Sequence, residues 1–134
     1  MDNSFAGGNA VIVVSSHVAR GTVGNRAAVF ALETLGHPVW AVPTVVLPWH
    51  PGHGRATRIV PPSDQFAALM DDLARAPWLG EVGAVLSGYL GDAEQAGAVA
   101  HLVGADIRPC SSRNEAFPEI VRPPFVGIGC AHGT

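Results

Sequence analysis

Short apolar runs bounded by glycine or small polar residues recur along the first part of the chain. They cover residues 10–14, 39–46 and 83–87, and the first is rich in β-branched side chains. Unbroken apolar runs of this length are typical of strands that are buried on both faces, as in a parallel sheet. Pro43 interrupts the second run and predicts an irregularity or an edge position, because proline cannot donate a ladder hydrogen bond.

Segments with helical spacing alternate with these runs. We predict helices over residues 26–35, from Ser63 to the turn before Pro77, and from Asp92 to about residue 103. Asn25, Ser63 and Asp92 are the predicted N-caps, and Gly36 is the predicted stop of the first helix. The apolar positions of the first helix are Ala27, Phe30, Ala31 and Leu35. The predicted buried face of the second helix consists of Phe66, Leu69, Met70 and Leu73. Alternating strands and helices predict a parallel α/β sheet with right-handed crossovers.

Three segments that follow the predicted strands are rich in glycine and small polar residues, namely 15–24, 44–54 and 87–92. Ligands of parallel α/β sheets bind beyond the carboxyl ends of the strands, so these segments predict a small-molecule site. Ser16 either hydrogen-bonds a ligand ring nitrogen there or caps its own turn. The ring of Tyr89 either packs on a planar ligand or is an ordinary half-buried core aromatic.

The loop over residues 47–58 is rich in proline, glycine and histidine. His50 and His53 form an H-x-x-H pair, but no third metal ligand stands near them in sequence, which favours a substrate-covering loop over a metal site. A short β-excursion is predicted over residues 56–60. Beyond residue 103 no period of 2 or 3.6 is sustained, and only residues 125–128 are predicted as a short strand.

Length, charge and composition exclude several classes of function. A length of 134 residues fits one domain, and a net charge of −3 argues against nucleic acid as a partner. All eight basic residues are arginine, which excludes a P-loop and Schiff-base lysine chemistry. Cys110 and Cys130 are expected to be reduced thiols, with a single disulfide as the alternative. No apolar run approaches a membrane span or a signal peptide, so we expect a soluble, cytoplasmic protein without a membrane partner.

Three ordered segments together resemble the pyridoxal kinase family: Val14-Ser15-Ser16-His17-Val18, residues 24–30 (GNRAAVF) and residues 85–91 (VLSGYLG). The resemblance covers roughly residues 10–103. It implies an α/β protein of the ribokinase-like class, a three-layer α/β/α sandwich with a parallel sheet, present here only as its N-terminal half. Residues 1–103 would be that half-domain and residues 104–134 a divergent tail.

The resemblance also implies an activity and a site. The family transfers the γ-phosphoryl group of ATP, with Mg²⁺, to the 5′-hydroxymethyl group of pyridoxal in vitamin B6 salvage, and its members pair as homodimers. By resemblance Ser16 contacts the pyridine ring, Val18 is an apolar wall and Tyr89 stacks beside the ring. The remaining substrate-binding positions implied are Thr44, His50, Pro51 and Gly52.

Departures from the family pattern lead us to expect negligible activity from this chain. The family's fourth strand with its Asp-Pro pair has no clear counterpart, and the later Gly-rich segment with the general-base aspartate is absent. We therefore assign no catalytic residue and no metal ligand. The alternative function is a non-catalytic α/β ligand-binding or dimerisation module. A half-sheet leaves an edge and an apolar face uncovered, so we expect dimerisation or aggregation.

Overall fold

The computed structural model describes residues 8–105 and the backbone of residues 125–127. Strands and helices alternate in the predicted order: β1 Ala10–Val18, α1 Asn25–Thr34, β2 Val39–Leu47, α2 Ser63–Ala74, β3 Val82–Ser87, α3 Gln95–Val103 and β4 Phe125–Gly127. Two short 3₁₀ turns, Pro51–His53 and Leu79–Glu81, lie between them. Cys110, Cys130 and most of segment 104–134 lie outside the described residues.

The described strands form one parallel sheet in the order β2-β1-β3-β4. From β1 the chain first steps sideways to β2, and then crosses back over β1 to β3 and β4. Because right-handed crossovers place helices on opposite faces when this direction reverses, α1 covers one face while α2 and α3 cover the other. Accordingly, α1 contacts β1 and β2, and α2 contacts α3. The three-layer α/β/α prediction is confirmed.

The main core lies between the sheet and the α2–α3 layer. Alternate residues of β1, Ile12 and Val14, face this layer and are fully buried. They pack in one cluster with Phe66 and Met70 of α2 and with residues of α3. Fully burying such a side chain stabilises the fold by roughly 1.5–3 kcal/mol, so this contiguous cluster holds the sheet against the two helices.

Strand β2 is irregular where proline predicts it. Ser15 pairs with Pro43, but His17 pairs with Val46, so β2 contains one extra residue between the two pairs. Proline lacks the N–H that a regular ladder would use, and β2 lies at the edge of the described sheet. The prediction of an irregularity is confirmed.

The predicted helix ends agree with the structure better at the C-termini than at the N-caps, and α3 ends at Val103 as predicted. Gly36 has φ 88° and follows α1 as its predicted stop, and its N–H donates to the carbonyl of Glu33 in the last turn over 3.0 Å. The predicted N-caps are wrong: Gly24, Pro62 and Glu94 occupy those positions. Each small polar residue was predicted correctly to lie near a helix start, but composition alone does not say which residue takes the non-helical backbone conformation.

The predicted buried face of α2 is only partly right. Phe66 and Met70 are buried, whereas Leu69 is 44% exposed. Positions 66 and 70 are one turn apart and face the sheet, while position 69 lies at the margin of that stripe. Within the described ranges, no helix is both long and apolar enough to cross a membrane.

Candidate functional site

The carboxyl ends of β1 and β3 are held close together. The N–H of Gly88 donates a hydrogen bond to the carbonyl of Val14 over 2.8 Å, continuing the ladder past the end of β3. A Cβ at position 88 would lie only 2.4 Å from the hydroxyl oxygen of Ser15. Glycine is therefore required for this approach, and it places Tyr89 directly beside the ends of the central strands.

The end of β2 is tied to the segment after β3. The buried Thr44 hydroxyl donates to the backbone carbonyl of Tyr89 over 2.7 Å. The Gln95 amide donates to the carbonyl of Thr44 over 2.9 Å, and its oxygen accepts the N–H of Gly91 over 2.8 Å. Sequence reasoning missed Gln95, since a single glutamine at the start of a helix carries no distinguishing pattern. Gln95 therefore links the end of β2 to the segment that follows β3.

Ser16 lies at the end of β1 beneath the turn that leads into α1. It is only 7% exposed. Gly24 adopts φ 59°, and a Cβ there would lie 2.5 Å from the Ser16 hydroxyl oxygen. The Arg26 guanidinium closes the same turn by donating to the carbonyls of Ala19 and Gly21 over 2.7 and 3.0 Å. This turn fixes the surroundings of Ser16 from one side.

Val18 has a different environment from the other predicted positions. It is fully buried in a small apolar cluster with Val45 and Leu47, against which Val60 packs. The structure therefore places Val18 beneath the end of β2, where it supports the strand from which the following loop begins.

The loop after β2 is a folded unit. Ile59 returns to pair with Val46 through two backbone bonds of 2.8 and 3.1 Å, which confirms the predicted β-excursion as a single bridge. The Trp49 indole N–H donates to the carbonyl of Gly54 over 3.0 Å. The His50 Nδ1 accepts the N–H of Gly52, also over 3.0 Å. These bonds give the loop a definite shape at the edge of the sheet.

The two histidines of this loop, His50 and His53, lie near each other, with ring centroids 6.3 Å apart. Across the portion of the chain that the structure describes, no three metal-ligating side chains of His, Cys, Asp or Glu come together. His50 instead shapes the backbone of the 3₁₀ turn through its bond to Gly52.

A cavity of about 380 Å³ lies between this loop and Tyr89. Of the predicted site residues, Pro51 and Tyr89 line it. Its full lining is Leu47, Trp49, Pro51, Gly54, Arg55, Ala56, Arg58 and Tyr89. Ser16 and Thr44 are buried at the neighbouring strand ends, and His50 and Gly52 are exposed on the loop. The structure thus gathers the predicted residues at one edge of the sheet, but only two of them face one cavity.

Sequence reasoning also missed the arginine that joins the loop to the segment after β3. The Arg58 guanidinium donates to the carbonyl of Gly91. Gly91 in turn packs against the end of β2, since a Cβ there would lie 2.5 Å from the carbonyl oxygen of Thr44. Arg58 consequently sets the distance between the two walls of the cavity.

Comparison with known proteins relates the chain to one group of enzymes, although no protein-family model matches it. It is 43% identical over 94 residues to pyridoxal kinase PdxY of Pseudomonas paraeruginosa, covering 70% of this chain and 33% of that protein. It is 40% identical over 107 residues to the corresponding enzyme of Rubrobacter xylanophilus, covering 77% of this chain and 37% of that protein.

Solved structures agree with the sequence comparison. Pyridoxal kinase from Leishmania donovani, in complex with ADP and pyridoxamine, is 32% identical and superposes with a TM-score of 0.62. The match covers 72% of this chain and 34% of that enzyme. The chain thus spans about a third of the length of the relatives it matches. Over that segment it is homologous to pyridoxal kinases and has their ribokinase-like fold.

Proposed function

We propose that this chain carries the vitamin-binding part of a pyridoxal kinase, whose complete members transfer the γ-phosphoryl group of ATP to pyridoxal. The observation that carries the proposal is the cavity beside the sheet edge, which both Pro51 and Tyr89 line. Parallel sheets bind ligands at this edge, and homology to pyridoxal kinases supplies the class of substrate.

Individual side chains have distinct proposed roles at this edge. Tyr89 is 45% exposed, so its ring is available to stack on a planar pyridine, while its carbonyl is fixed by Thr44. The Ser16 hydroxyl is proposed to hydrogen-bond the ring and Val18 to support that wall from beneath. His50, Pro51 and Gly52 form the part of the loop that covers the ligand.

Catalysis by this chain alone is expected to be negligible. Phosphoryl transfer depends on positioning and on electrostatic stabilisation of the transferred group, supplied by a general base, Mg²⁺ and anion-binding groups. The segment homologous to the kinases offers no counterpart of their general-base aspartate. ATP and Mg²⁺ are therefore proposed cofactors of the complete enzyme, for which we also propose a cytoplasmic location.

Titration with pyridoxal tests the proposed site. We expect Ser16→Ala to weaken binding by roughly fivefold to tenfold, as for the loss of one hydrogen bond worth about 1–1.5 kcal/mol. Ser63→Ala is the matched control, because Ser63 is the first residue of α2 and does not line the cavity. Pyridoxal binding that is unchanged by Ser16→Ala would show that Ser16 does not contact the ring.

Turnover is measured separately, by following pyridoxal phosphate absorbance after adding pyridoxal, ATP and Mg²⁺. We expect no product above the background rate. Sustained turnover would contradict the proposed lack of catalytic groups, while leaving the binding site in place.

Self-association is a second proposed function, favoured by exposed apolar side chains at α1. Phe30 of α1 and Leu35, which directly follows α1, are 72% and 74% exposed, although large apolar side chains usually avoid water. Beside Phe30 lies a surface cavity of about 430 Å³, which also includes Val29 of α1 and Pro43 of the edge strand β2. We propose that a second copy of the chain covers this face, giving a homodimer.

A further inference from the structure

The segment that follows β3 carries one wall of the cavity, and hydrogen bonds to its backbone hold it in place. Tyr89 is 45% exposed, so core packing alone does not fix its ring. Its carbonyl accepts the Thr44 hydroxyl over 2.7 Å, and the preceding N–H, that of Gly88, donates to the carbonyl of Val14 over 2.8 Å. The position of the ring therefore depends on the bonds that its backbone makes.

Gln95 completes this set of bonds from the start of α3. Its Nε2 donates to the carbonyl of Thr44 over 2.9 Å, and its Oε1 accepts the N–H of Gly91 over 2.8 Å and that of Asp92 over 3.3 Å. The Gln95 residue is only 1% exposed, so water does not replace these bonds. Thr44 is fully buried, receives the Gln95 amide on its carbonyl and donates its hydroxyl to Tyr89. The buried Gln95 amide is thus connected to the backbone of Tyr89.

The side-chain amide of Gln95 matches both of its neighbours. One side of the site needs an acceptor for the N–H groups of residues 91 and 92, and the other needs a donor for the carbonyl of Thr44. An amide provides one of each. A carboxylate would place an oxygen against that carbonyl, and an apolar side chain would leave buried polar groups without partners, which destabilises the folded chain. These bonds therefore favour glutamine at position 95.

We propose that Gln95 is a positioning residue for the cavity: acting through Thr44 and Gly91, it fixes the orientation in which Tyr89 meets a bound ring. Gln95 does not line the cavity, so it acts through its neighbours and not on the ligand. Without its amide, the end of β2 and the segment after β3 shift against each other, which moves the Tyr89 wall. The inference rests on the proposed function for the identity of the ligand, whereas the position of Tyr89 is tested without any ligand.

NMR of the ligand-free chain reports on Tyr89 directly, because it is the single tyrosine of the sequence and isotope-labelled tyrosine gives one set of ring signals. Gln95→Met keeps a similar length but removes the amide, and we expect it to shift these signals. Val99→Ala is the matched control. Val99 lies on the same helix, is 4% exposed and packs in the main core, so its truncation destabilises the fold without touching the bonds to Tyr89. Its Tyr89 signals should stay at the wild-type position.

Titration with pyridoxal measures the consequence for the site. We expect Gln95→Met to bind pyridoxal about tenfold more weakly than the wild-type chain, as for the loss of one or two hydrogen bonds. Val99→Ala should stay within about twofold of wild type, because a loss of stability alone does not move the cavity wall. The titrations are made at a temperature at which circular dichroism shows every variant to be folded.

Thr44 supplies a second pair of variants that leaves Gln95 in place. Thr44→Val keeps the backbone carbonyl and the shape of the side chain but removes the hydroxyl that donates to Tyr89. Thr44→Ser retains this hydroxyl. We expect Thr44→Val to shift the Tyr89 signals and to weaken pyridoxal binding as Gln95→Met does, and Thr44→Ser to bring both back toward wild type.

The outcomes separate this inference from the proposed function. If Gln95→Met matches Val99→Ala in its Tyr89 signals or in its pyridoxal affinity, Gln95 has only a structural role and the inference is wrong. If Gln95→Met does not fold, equal Tyr89 signals in Thr44→Val and Thr44→Ser contradict the inference in the same way. If the wild-type chain does not bind pyridoxal but the Tyr89 signals shift in Gln95→Met and not in Val99→Ala, the vitamin site is wrong and the positioning of Tyr89 stands.

Discussion

At the scale of single residues, Asn25 makes an unexpected contribution to the sheet. It is the first residue of α1, and its buried side-chain amide donates two hydrogen bonds, to the carbonyls of Ser15 and Val42 over 3.0 and 2.9 Å. These carbonyls belong to β1 and β2, next to the register shift. Asn25 therefore joins α1 to both strands just before the site, instead of capping its own helix.

We expect Asn25→Ala to lower the free energy of unfolding by about 2–4 kcal/mol, because two buried carbonyls lose their donor. Urea denaturation measures the change. Asn9→Ala is the matched control: the Asn9 amide makes one exposed bond to Gly36, so its loss should cost less than about 1 kcal/mol. Equal losses of unfolding free energy in the two variants would show that the buried bonds of Asn25 stabilise the fold no more than the exposed bond of Asn9.

Gly24 gives a second prediction at this scale. Its φ of 59° and the short approach of its missing Cβ to the backbone oxygen of Ser16, 2.3 Å, both disfavour a side chain. We expect Gly24→Ala to destabilise the fold by about 2 kcal/mol or more and to weaken pyridoxal binding by displacing Ser16. Gly21→Ala separates the effect of the positive φ from the effect of the steric overlap, since Gly21 also has positive φ but open space around it. Similar pyridoxal affinities of the two variants would contradict this account.

At the scale of elements, the hydrophobic pattern correctly predicted the strands and helices whose apolar side chains are buried. The apolar runs predicted β1, most of whose residues are buried, and β3, in which buried residues alternate with half-buried ones. The positive φ of Gly36 explains why the first helix ends where the sequence predicted. Exposed faces were less predictable. Leu69 is apolar at helical spacing yet lies at the margin of the buried stripe, because the orientation of α2 depends on its packing partners rather than on its own sequence.

The contact between α2 and α3 supplies a prediction about pH. The Arg75 hydrogen bond, followed by that of His101 on α3, lowers the pKa of Asp71 below its ordinary value of 3.8. A lowered carboxyl pKa means that the stabilisation is present above the unfolded-state pKa and is lost as the pH falls through the folded-state pKa. We expect Asp71→Asn to reduce stability near neutral pH and to have little effect below about pH 2.

NMR titration of the Asp71 carboxyl checks the cause directly. In Arg75→Gln its pKa should move up toward the ordinary value, since the largest contribution has been removed. An unchanged pKa in that variant would assign the shift to another group. Because the Asp71 side chain is 45% exposed and water screens its bonds, the accompanying change in unfolding free energy is expected to be small.

At the scale of the whole molecule, the sequence predicted the edge of the sheet at which the candidate cavity lies, but not the residues that line this cavity. The glycine-rich segments after each strand carried that prediction, since topology alone brings strand ends together. The sequence did not predict roles for Arg58 and Gln95, because each bonds to a residue far away in the chain. Arg58 donates to the carbonyl of Gly91, and Gln95 donates to the carbonyl of Thr44. Such contacts depend on how β2 and β3 are aligned on either side of β1, which no single-segment pattern contains.

The uncovered face of α1 gives the last prediction. We expect the chain to elute from a sizing column as a dimer at micromolar concentrations, because a second copy would bury Phe30 and Leu35 beside the edge strand β2. Phe30→Glu should shift elution toward the monomer, since it places a charge in the centre of that contact. Leu69→Glu is the matched control, as it alters an exposed leucine on α2, in the opposite helical layer. A monomeric wild-type chain, or equal shifts in both variants, would show that α1 is not the surface through which copies associate.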